Sequence, residues 1–187
     1  MSDVKTICVY CGSSNDVQAG YILLAKELGK KLAESGIRLV YGGGGVGLMG
    51  ACAAAANDAG GDVLGIIPRF LLEKEKIFEE VEHRIVEDMH TRKQMMFDEA
   101  DAFIVLPGGI GTLEEAVEIL SWARLSLHNK PLALLDYNGF WSPIIDFLDK
   151  TIELKFNPAW IRDLVIHKSD ASECIAEIEA KLVELGR

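Results

Sequence analysis

The chain has 187 residues, of which 49% are apolar and 26% are charged, as in one globular domain with a full core. The formal net charge of −10 disfavours a nucleic-acid-binding surface, because such surfaces carry clusters of Lys and Arg. The sequence contains no apolar run of membrane-spanning length and no signal-peptide layout. It therefore predicts a single cytoplasmic domain over residues 1–187.

Predicted strands and helices alternate along the whole chain. Apolar runs predict strands at residues 4–10, 37–41, 62–67, 84–86, 101–106, 131–135 and 164–167. Helical periodicity predicts helices at residues 17–35, 46–59, 89–100, 112–125, 141–154 and 171–185. The charged segment 68–80 is predicted to be a loop or short helix over the site. Strands that alternate with helices predict an α/β fold, a doubly wound parallel sheet covered by helices on both faces.

Residues 107–115 carry the most informative motif, PGGIGTLEE. A strand that leads through glycines into a helix presents unpaired N–H groups and the positive end of the helix dipole, which suit phosphate. The motif ends in Glu115, and a catalyst acting on a phosphate ester has a use for that carboxylate. The alternative is structural, because Thr112 and Glu115 fit a capping box at the start of the helix. The motif alone leaves both interpretations open.

Residues 41–50, YGGGGVGLMG, form a second glycine-rich turn between a strand and a helix. Gly45, Gly47 and Gly50 fit the dinucleotide fingerprint GxGxxG, but the next strand ends without the acidic residue that binds ribose. That absence weakens an NAD(P)-linked oxidoreductase, while two such turns favour a ligand with phosphate and sugar. Ligands bind at the carboxyl ends of parallel strands. The candidate contacts at these ends are Gly12, Ser13, Gly44, Gly45 and Gly108.

Arg92 and Lys93 begin the helix immediately before the 107–115 unit. Arginine forms paired hydrogen bonds with phosphate or carboxylate, and lysine adds a point charge. The alternative is a solvated basic pair. Cations are unfavourable near a helix N-terminus, so two of them there favour an anionic partner.

The cysteines and histidines indicate no redox or metal chemistry. Cys8 and Cys11 spell CxxC, but Cys8 lies within a predicted strand and the two side chains alternate onto opposite faces. Buried, inert thiols are therefore predicted. The histidines lack metal-ligand spacing, so no metal site is predicted.

Taken together, the motifs CGSS at 11–14, the 42–50 turn, MHTRK at 89–93 and PGGIGTLEE at 107–115 resemble the Lonely Guy (LOG) family. SWA at 121–123 and HNKP at 128–131 extend the resemblance. It implies a cytosolic Rossmann-like homodimer without a cofactor. The implied activity is hydrolysis of the N-glycosidic bond of adenosine-type 5′-monophosphates, including N6-substituted cytokinin forms. The products are the free base and ribose 5-phosphate.

The resemblance also assigns residues, with Arg92 and Glu115 as the catalytic pair. The implied substrate contacts are Arg92, Lys93, Gly109, Ile110, Gly111, Thr112, Leu113, Glu114, Glu115 and Ser121. A carboxylate beside the anomeric carbon suits this chemistry, because breaking the bond builds positive charge on the sugar. Arg92 either anchors phosphate or orients Glu115.

Some residues depart from the family pattern, and one other interpretation stays open. The segments 69–80, 124–126 and 155–157 differ from common family sequences, which affects the expected base preference more than the reaction. The alternative is a nucleotide or cofactor carrier of the same fold, which needs the glycines but not the Arg92–Glu115 pair.

Overall fold

The structure is a computed structural model that describes residues 6–72 and 76–186. The strands of these described residues are β1 (Thr6–Tyr10), β2 (Arg38–Tyr41), β3 (Val63–Pro68), β4 (Glu82–Val86), β5 (Ala102–Val105), β6 (Leu132–Leu135) and β7 (Val165–Lys168). The helices are α1 (Ala19–Glu34), α2 (Gly47–Asp58), α3 (Arg69–Leu72), α4 (Met89–Glu99), α5 (Ile110–Arg124), α6 (Ser142–Glu153), α7 (Trp160–Leu164) and α8 (Ala171–Glu184).

The seven strands form one parallel sheet in the order β4-β3-β2-β1-β5-β6-β7. The chain builds outward from β1 to β4 and then returns to the other side of β1 for β5 to β7. The strand order therefore reverses between β1 and β5, and the loops that follow these strands diverge to leave a crevice. This topology confirms the predicted doubly wound α/β fold.

Helices cover both faces of the sheet. Ile7 and Val9 of β1 face a core shared with α1, α2 and α8, whereas Cys8 and Tyr10 face a core shared with α4, α5, α6 and α7. Cys11 belongs to the first core, so the prediction that Cys8 and Cys11 lie on opposite faces is confirmed. Both thiols are buried, and burial raises the pKa of each, as expected for unreactive cysteines.

Helix α5 begins two residues earlier than predicted, and this overturns the capping-box interpretation. Gly109 is the N-cap residue, with extended backbone angles and no capping side chain, so Thr112 already lies inside the helix. Thr112 and Glu115 therefore do not form a capping box. The apolar periodicity marks the buried face of α5, but it does not locate the first turn, which is exposed at Ile110 and Gly111.

The segment after β3 forms the short helix α3, in agreement with one of the two predicted alternatives. Beyond it, Ile77 forms an antiparallel bridge with Gly44. Helix α7 was not predicted, because five residues are too few to show a helical period. Residues 4 and 5 of the predicted first strand, and 73–75 of the 68–80 segment, lie outside the described residues. Within the described residues, no helix is both long enough and apolar enough to cross a membrane.

Candidate functional site

A cleft of about 440 Å³ opens at the carboxyl edge of the sheet, where the segments after β1, β3 and β5 meet the starts of α2, α4 and α5. It is lined by Cys11, Gly12, Ser13, Met49, Phe70, Leu71, Met89, Arg92, Gly109, Gly111, Thr112 and Glu115. The cleft therefore unites the two motifs that the sequence singled out, the Arg92 segment and the 107–115 turn.

The N-terminus of α5 forms one wall of this cleft. Leu113 donates its N–H to the Gly109 carbonyl (3.0 Å), which is the first hydrogen bond of the helix. The N–H groups of residues 110–112 therefore have no carbonyl partner within the helix. No side chain of the described residues caps them. Gly108 allows the turn to close, since a Cβ there would lie 2.2 Å from Thr112 Oγ1. These N–H groups form the kind of site that binds a phosphate.

Arg92 and Glu115 form a buried ion pair at the base of the cleft. Arg92 Nη1 lies 3.2 Å from Glu115 Oε1, and the two side chains are 9% and 11% exposed. Arg92 Nε also donates to the Ile66 carbonyl of β3 (3.2 Å), which anchors the guanidinium to this strand. Gly42 provides the necessary space, because a Cβ there would lie 2.2 Å from Arg92 Nη2. The sequence showed Gly42 only as part of a turn, so this role was missed.

Burial changes the acidity of Glu115. It raises the pKa of this carboxyl from 4.5 to about 7, although the neighbouring Arg92 guanidinium acts in the opposite direction. A carboxyl that titrates near neutral pH and lines a cleft has the properties of an acid–base catalyst.

Lys93 does not line the cleft. Its Nζ donates to Glu114 Oε1 (2.7 Å) and Glu118 Oε1 (2.9 Å), and its side chain is only 12% exposed. The α5 carboxylates therefore already provide the anionic partner that the sequence suggested for this lysine. Glu114 is turned to the same side, so this geometry gives no support to substrate contacts by Lys93 or Glu114.

The glycine-rich turn before α2 has its N–H groups occupied by the protein itself. Gly44 donates to Met49 Sδ (3.3 Å), and Gly45 donates to the Lys76 carbonyl (2.6 Å). Gly47 donates to Asn15 Oδ1 (2.8 Å). Gly44 and Gly45 therefore stay outside the cleft lining, and the lack of a side chain at Gly45 serves backbone packing. A Cβ on Gly45 would lie 2.7 Å from the Ile77 carbonyl oxygen.

The remaining predicted contacts lie in different places. Gly108 lines a second pocket, which shares Gly12 and Gly109 with the cleft, and Ile110 is exposed at the first turn of α5. Leu113 packs against the core. Ser121 borders a separate groove between α5 and α6. Within residues 6–72 and 76–186, no group of three or more His, Cys, Asp or Glu side chains is placed to hold a metal ion.

The apolar part of the lining was missed by sequence reasoning. Phe70 and Leu71 lie in no motif, and Met49 and Met89 lie inside motifs but were not assigned as contacts, since an apolar residue is equally typical of a core position. For Phe70 and Leu71, the sequence did give one signal, the prediction that the 68–80 segment lies over the site.

Comparison with known proteins identifies the family. The family model described as "Possible lysine decarboxylase" matches residues 49–178. Cytokinin riboside 5′-monophosphate phosphoribohydrolase LOG from Oryza sativa subsp. japonica is 45% identical over 184 residues, which cover 98% of this chain and 76% of that protein. A relative from Arabidopsis thaliana with the same phosphoribohydrolase name is 43% identical over 179 residues, covering 95% and 83% of the two chains. The chain belongs to the LOG family. The resemblance inferred from the motifs is thus confirmed, and the family is one of phosphoribohydrolases.

Solved structures share the LOG fold seen here. The molybdenum cofactor carrier protein from Chlamydomonas reinhardtii superposes with a TM-score of 0.72 at 22% identity, covering 96% of this chain and 99% of that chain. The molybdenum cofactor binding protein from Rippkaea orientalis gives a TM-score of 0.72 at 22% identity, covering 97% and 99%. At these identities the likeness shows the fold alone.

Proposed function

We propose that this protein hydrolyses the N-glycosidic bond of adenosine-type nucleoside 5′-monophosphates, including N6-substituted ones, and releases the free base and ribose 5-phosphate. The observation that carries the proposal is the buried Arg92–Glu115 pair, 3.2 Å apart, beside the N-terminus of α5, which no side chain of residues 6–72 and 76–186 caps. The names of the LOG relatives support it. No cofactor is needed for this hydrolysis.

The phosphate binds at the N-terminus of α5. The N–H groups of Ile110, Gly111 and Thr112 and the dipole of this helix stabilise its negative charge. There is room in front of them, because a Cβ on Gly109 or Gly111 would meet no heavy atom of the described part of the chain within 4 Å. Gly12 and Ser13 complete this wall of the cleft.

Glu115 acts on the sugar. As the bond between the anomeric carbon and the base nitrogen breaks, its electron pair goes to the base and positive charge builds on the ribose. The Glu115 carboxylate stabilises this charge and accepts a proton from the water whose oxygen bonds to the anomeric carbon. The base takes up a proton from the solvent as it leaves, and Glu115 returns the proton it accepted to the solvent. Arg92 keeps Glu115 in position and balances its charge beside the phosphate.

The carrier alternative is less consistent with this site. A carboxylate next to a phosphate weakens phosphate binding, so a protein that only binds the nucleotide gains nothing from Glu115.

The proposal also includes two features that follow from the LOG resemblance, a homodimer and a cytoplasmic location. Four free, buried cysteines are consistent with a reducing compartment.

The test is incubation of the protein with AMP and, separately, with adenosine, followed by chromatographic measurement of adenine. AMP is expected to yield adenine and ribose 5-phosphate. Adenosine is expected to be a far poorer substrate, because phosphate binding positions the reacting bond. Comparable turnover of the two compounds would contradict the phosphate assignment. A failure to release base from any nucleoside 5′-monophosphate would refute the proposed function.

A further inference from the structure

The second pocket, which adjoins the catalytic cleft, has a volume of about 180 Å³ and no role in the proposed function. The two spaces share Gly12 and Gly109. The proposed function places the phosphate beside Gly109, at the N-terminus of α5, and the sugar next to Glu115. Glu115 lines the cleft but not the second pocket. The second pocket therefore lies beyond the phosphate, on the side away from the sugar.

The two spaces lie on opposite sides of the crevice between β1 and β5. Both include residues that follow these two strands, but the cleft also includes Phe70, which follows β3, whereas the second pocket includes Phe140, which follows β6. In the sheet, β3 lies on the β1 side of the crevice and β6 lies on the β5 side. Doubly wound folds bind dinucleotides across a crevice of this kind. A ligand that starts in the cleft thus has a path into the second pocket.

Glycine backbone forms the junction between the two spaces. The Gly12 N–H donates to the Pro107 carbonyl (3.1 Å), and a Cβ on Gly12 would lie 3.2 Å from Gly108 Cα, so the loops after β1 and β5 touch here. A Cβ on Gly109 would meet no heavy atom of residues 6–72 and 76–186 within 4 Å. A second phosphate joined to the first therefore has room over Gly109.

The lining of the second pocket is apolar and partly aromatic. It includes Val17, Tyr21, Leu48 and Phe140, and among the described residues no charged side chain lines it. Phe140 is 38% exposed, although its ring meets Tyr21 and Trp141 edge-on, with centroids 6.1 and 4.9 Å apart. These contacts fix the orientation of the ring before any ligand binds. Such a lining suits an uncharged planar ring.

We propose that the second pocket is a subsite for an uncharged ring joined to the nucleotide through a second phosphate, as in the dinucleotide NADH. The inference rests on the proposed function, which places the adenosine half of such a ligand in the cleft. The alternative is that these apolar residues only pack the loops after β1, β5 and β6 together. In that case a ring beyond the phosphates gains no affinity, so ligands with and without the ring separate the two interpretations.

The experiment is calorimetric titration of AMP, ADP-ribose and NADH into Glu115→Gln, with and without Phe140→Ala. The Glu115→Gln background prevents turnover during the titration. NADH and ADP-ribose share both phosphates and both sugars, so the ratio of their affinities measures the contribution of the dihydronicotinamide ring. We expect NADH to bind about tenfold more tightly than ADP-ribose and to compete with AMP. Phe140→Ala should remove most of this tenfold advantage and leave the affinity for AMP unchanged.

Leu23→Ala is the matched control, because Leu23 is an exposed apolar residue of α1, the helix that carries Tyr21, and does not line the second pocket. It should keep the full advantage of NADH. Equal affinities for NADH and ADP-ribose would overturn the inference, as would an equal weakening of all three ligands by Phe140→Ala. NADH that binds without displacing AMP would also overturn it.

Adenine release from AMP by wild type tests the proposed function separately. Adenine release combined with equal affinities for NADH and ADP-ribose would refute the subsite alone. An advantage of NADH that depends on Phe140, in a protein that releases no base, would support the subsite and refute the hydrolysis.

Discussion

Glu115 is a buried carboxyl that forms an ion pair with Arg92, and burial raises its pKa although Arg92 acts in the opposite direction. Glu115→Gln keeps the length of the side chain but removes the charge that stabilises the ribosyl cation. We expect this variant to bind AMP and to lose on the order of a hundredfold or more in kcat, the usual effect of losing one such electrostatic contact. The measurement is steady-state release of adenine, with AMP binding followed by calorimetry.

Glu118→Gln is the matched control for this substitution. Glu118 lies on the same helix, pairs with Lys93 and stays outside the cleft lining. Its amide variant should retain nearly full kcat. Adenine release by Glu115→Gln at the rate of wild type would show that the Glu115 charge takes no part in the reaction.

The acidity of Glu115 predicts how folding stability changes with pH. Its pKa is raised from 4.5 to about 7 in the folded protein, so between these values the folded state holds a proton that the unfolded state has lost. This contribution to stability is fully present below about pH 4.5 and is lost as the pH rises through 7. The free energy of unfolding of wild type should fall by up to about 1.4 kcal/mol per pH unit relative to Glu115→Gln. Urea unfolding of both proteins at pH 5, 6, 7 and 8 measures the difference, and an opposite slope would contradict the assignment.

Gly42 controls the position of Arg92. Gly42→Ala places a Cβ 2.2 Å from Arg92 Nη2 and 3.1 Å from Met49 Sδ, so the guanidinium must shift. Gly42 does not have a positive φ, so the backbone itself accepts alanine. We expect a folded protein whose kcat falls on the order of a hundredfold, as for an ångström-scale misplacement of a catalytic group. Circular dichroism and adenine release together test this, and full activity would mean that the reaction tolerates a displaced Arg92.

At the scale of elements, α4 and α5 carry the two halves of the catalytic pair and are joined near both ends. Near their N-termini, Lys93 of α4 bonds to Glu114 and Glu118 of α5. Farther along, the segment 128–130 joins them again. His128 Nε2 donates to the Ile119 carbonyl of α5 (2.9 Å), while Lys130 Nζ donates to the Phe97 carbonyl of α4 (2.6 Å).

The hydrogen bonds of His128 fix its tautomer and predict the effect of replacing it. The Lys130 N–H donates to His128 Nδ1 (3.0 Å), so Nε2 carries the proton. His128→Ala should destabilise the fold by about 1–2 kcal/mol. At temperatures well below the melting temperature, where the variant is folded, it should also lower kcat, because the spacing of α4 and α5 then changes. His128→Gln supplies both an acceptor and a donor and should restore part of both properties. A loss of stability without any change in kcat would limit this segment to a structural role.

The two glycine-rich turns show how far sequence reasoning reaches at this scale. Both were correctly predicted to connect a strand to a helix, because glycine clusters and apolar periodicity are local signals. Whether the N–H groups are free is not a local property. At α2 they are occupied by Asn15, Gly12 and Lys76, which are distant in sequence, whereas α5 has no capping side chain among the described residues. The ion pairs of Lys93 are hidden from local sequence reasoning for the same reason, since its partners lie on the next helix.

At the scale of the whole molecule, the alternation of strands and helices was enough to predict the sheet and its two helical layers. The strand order was not predicted, although it decides that β1 and β5 are neighbours and that their loops share one cleft. The long-range pairing of parallel strands leaves no local mark in the sequence. The family resemblance of the motifs implied that they share one site. The strand order gives the physical reason, because it makes β1 and β5 neighbours.

The outer surface of α5 and α6 is more apolar than a solvated helical layer requires. Val117, Leu125, Leu127 and Phe147 are 51%, 62%, 66% and 68% exposed, and a groove of about 230 Å³ lies between α5, α6 and α7. Exposed apolar patches of this kind mark protein interfaces. The LOG resemblance implies a homodimer, the segment 121–127 supplies Leu125 and Leu127 to this apolar surface, and Ser121 borders the groove.

We therefore expect wild type to sediment as a homodimer at micromolar concentration. The double variant Leu125→Glu/Leu127→Glu should sediment as a monomer, because a twofold contact brings each new charge into an apolar interface on both copies. Leu23→Glu is the control, since Leu23 is 64% exposed on α1, across the sheet from α5, and its substitution should leave the mass unchanged. A monomer mass for wild type would refute the dimer. A dimer that survives the double substitution would place the interface on another face of the molecule.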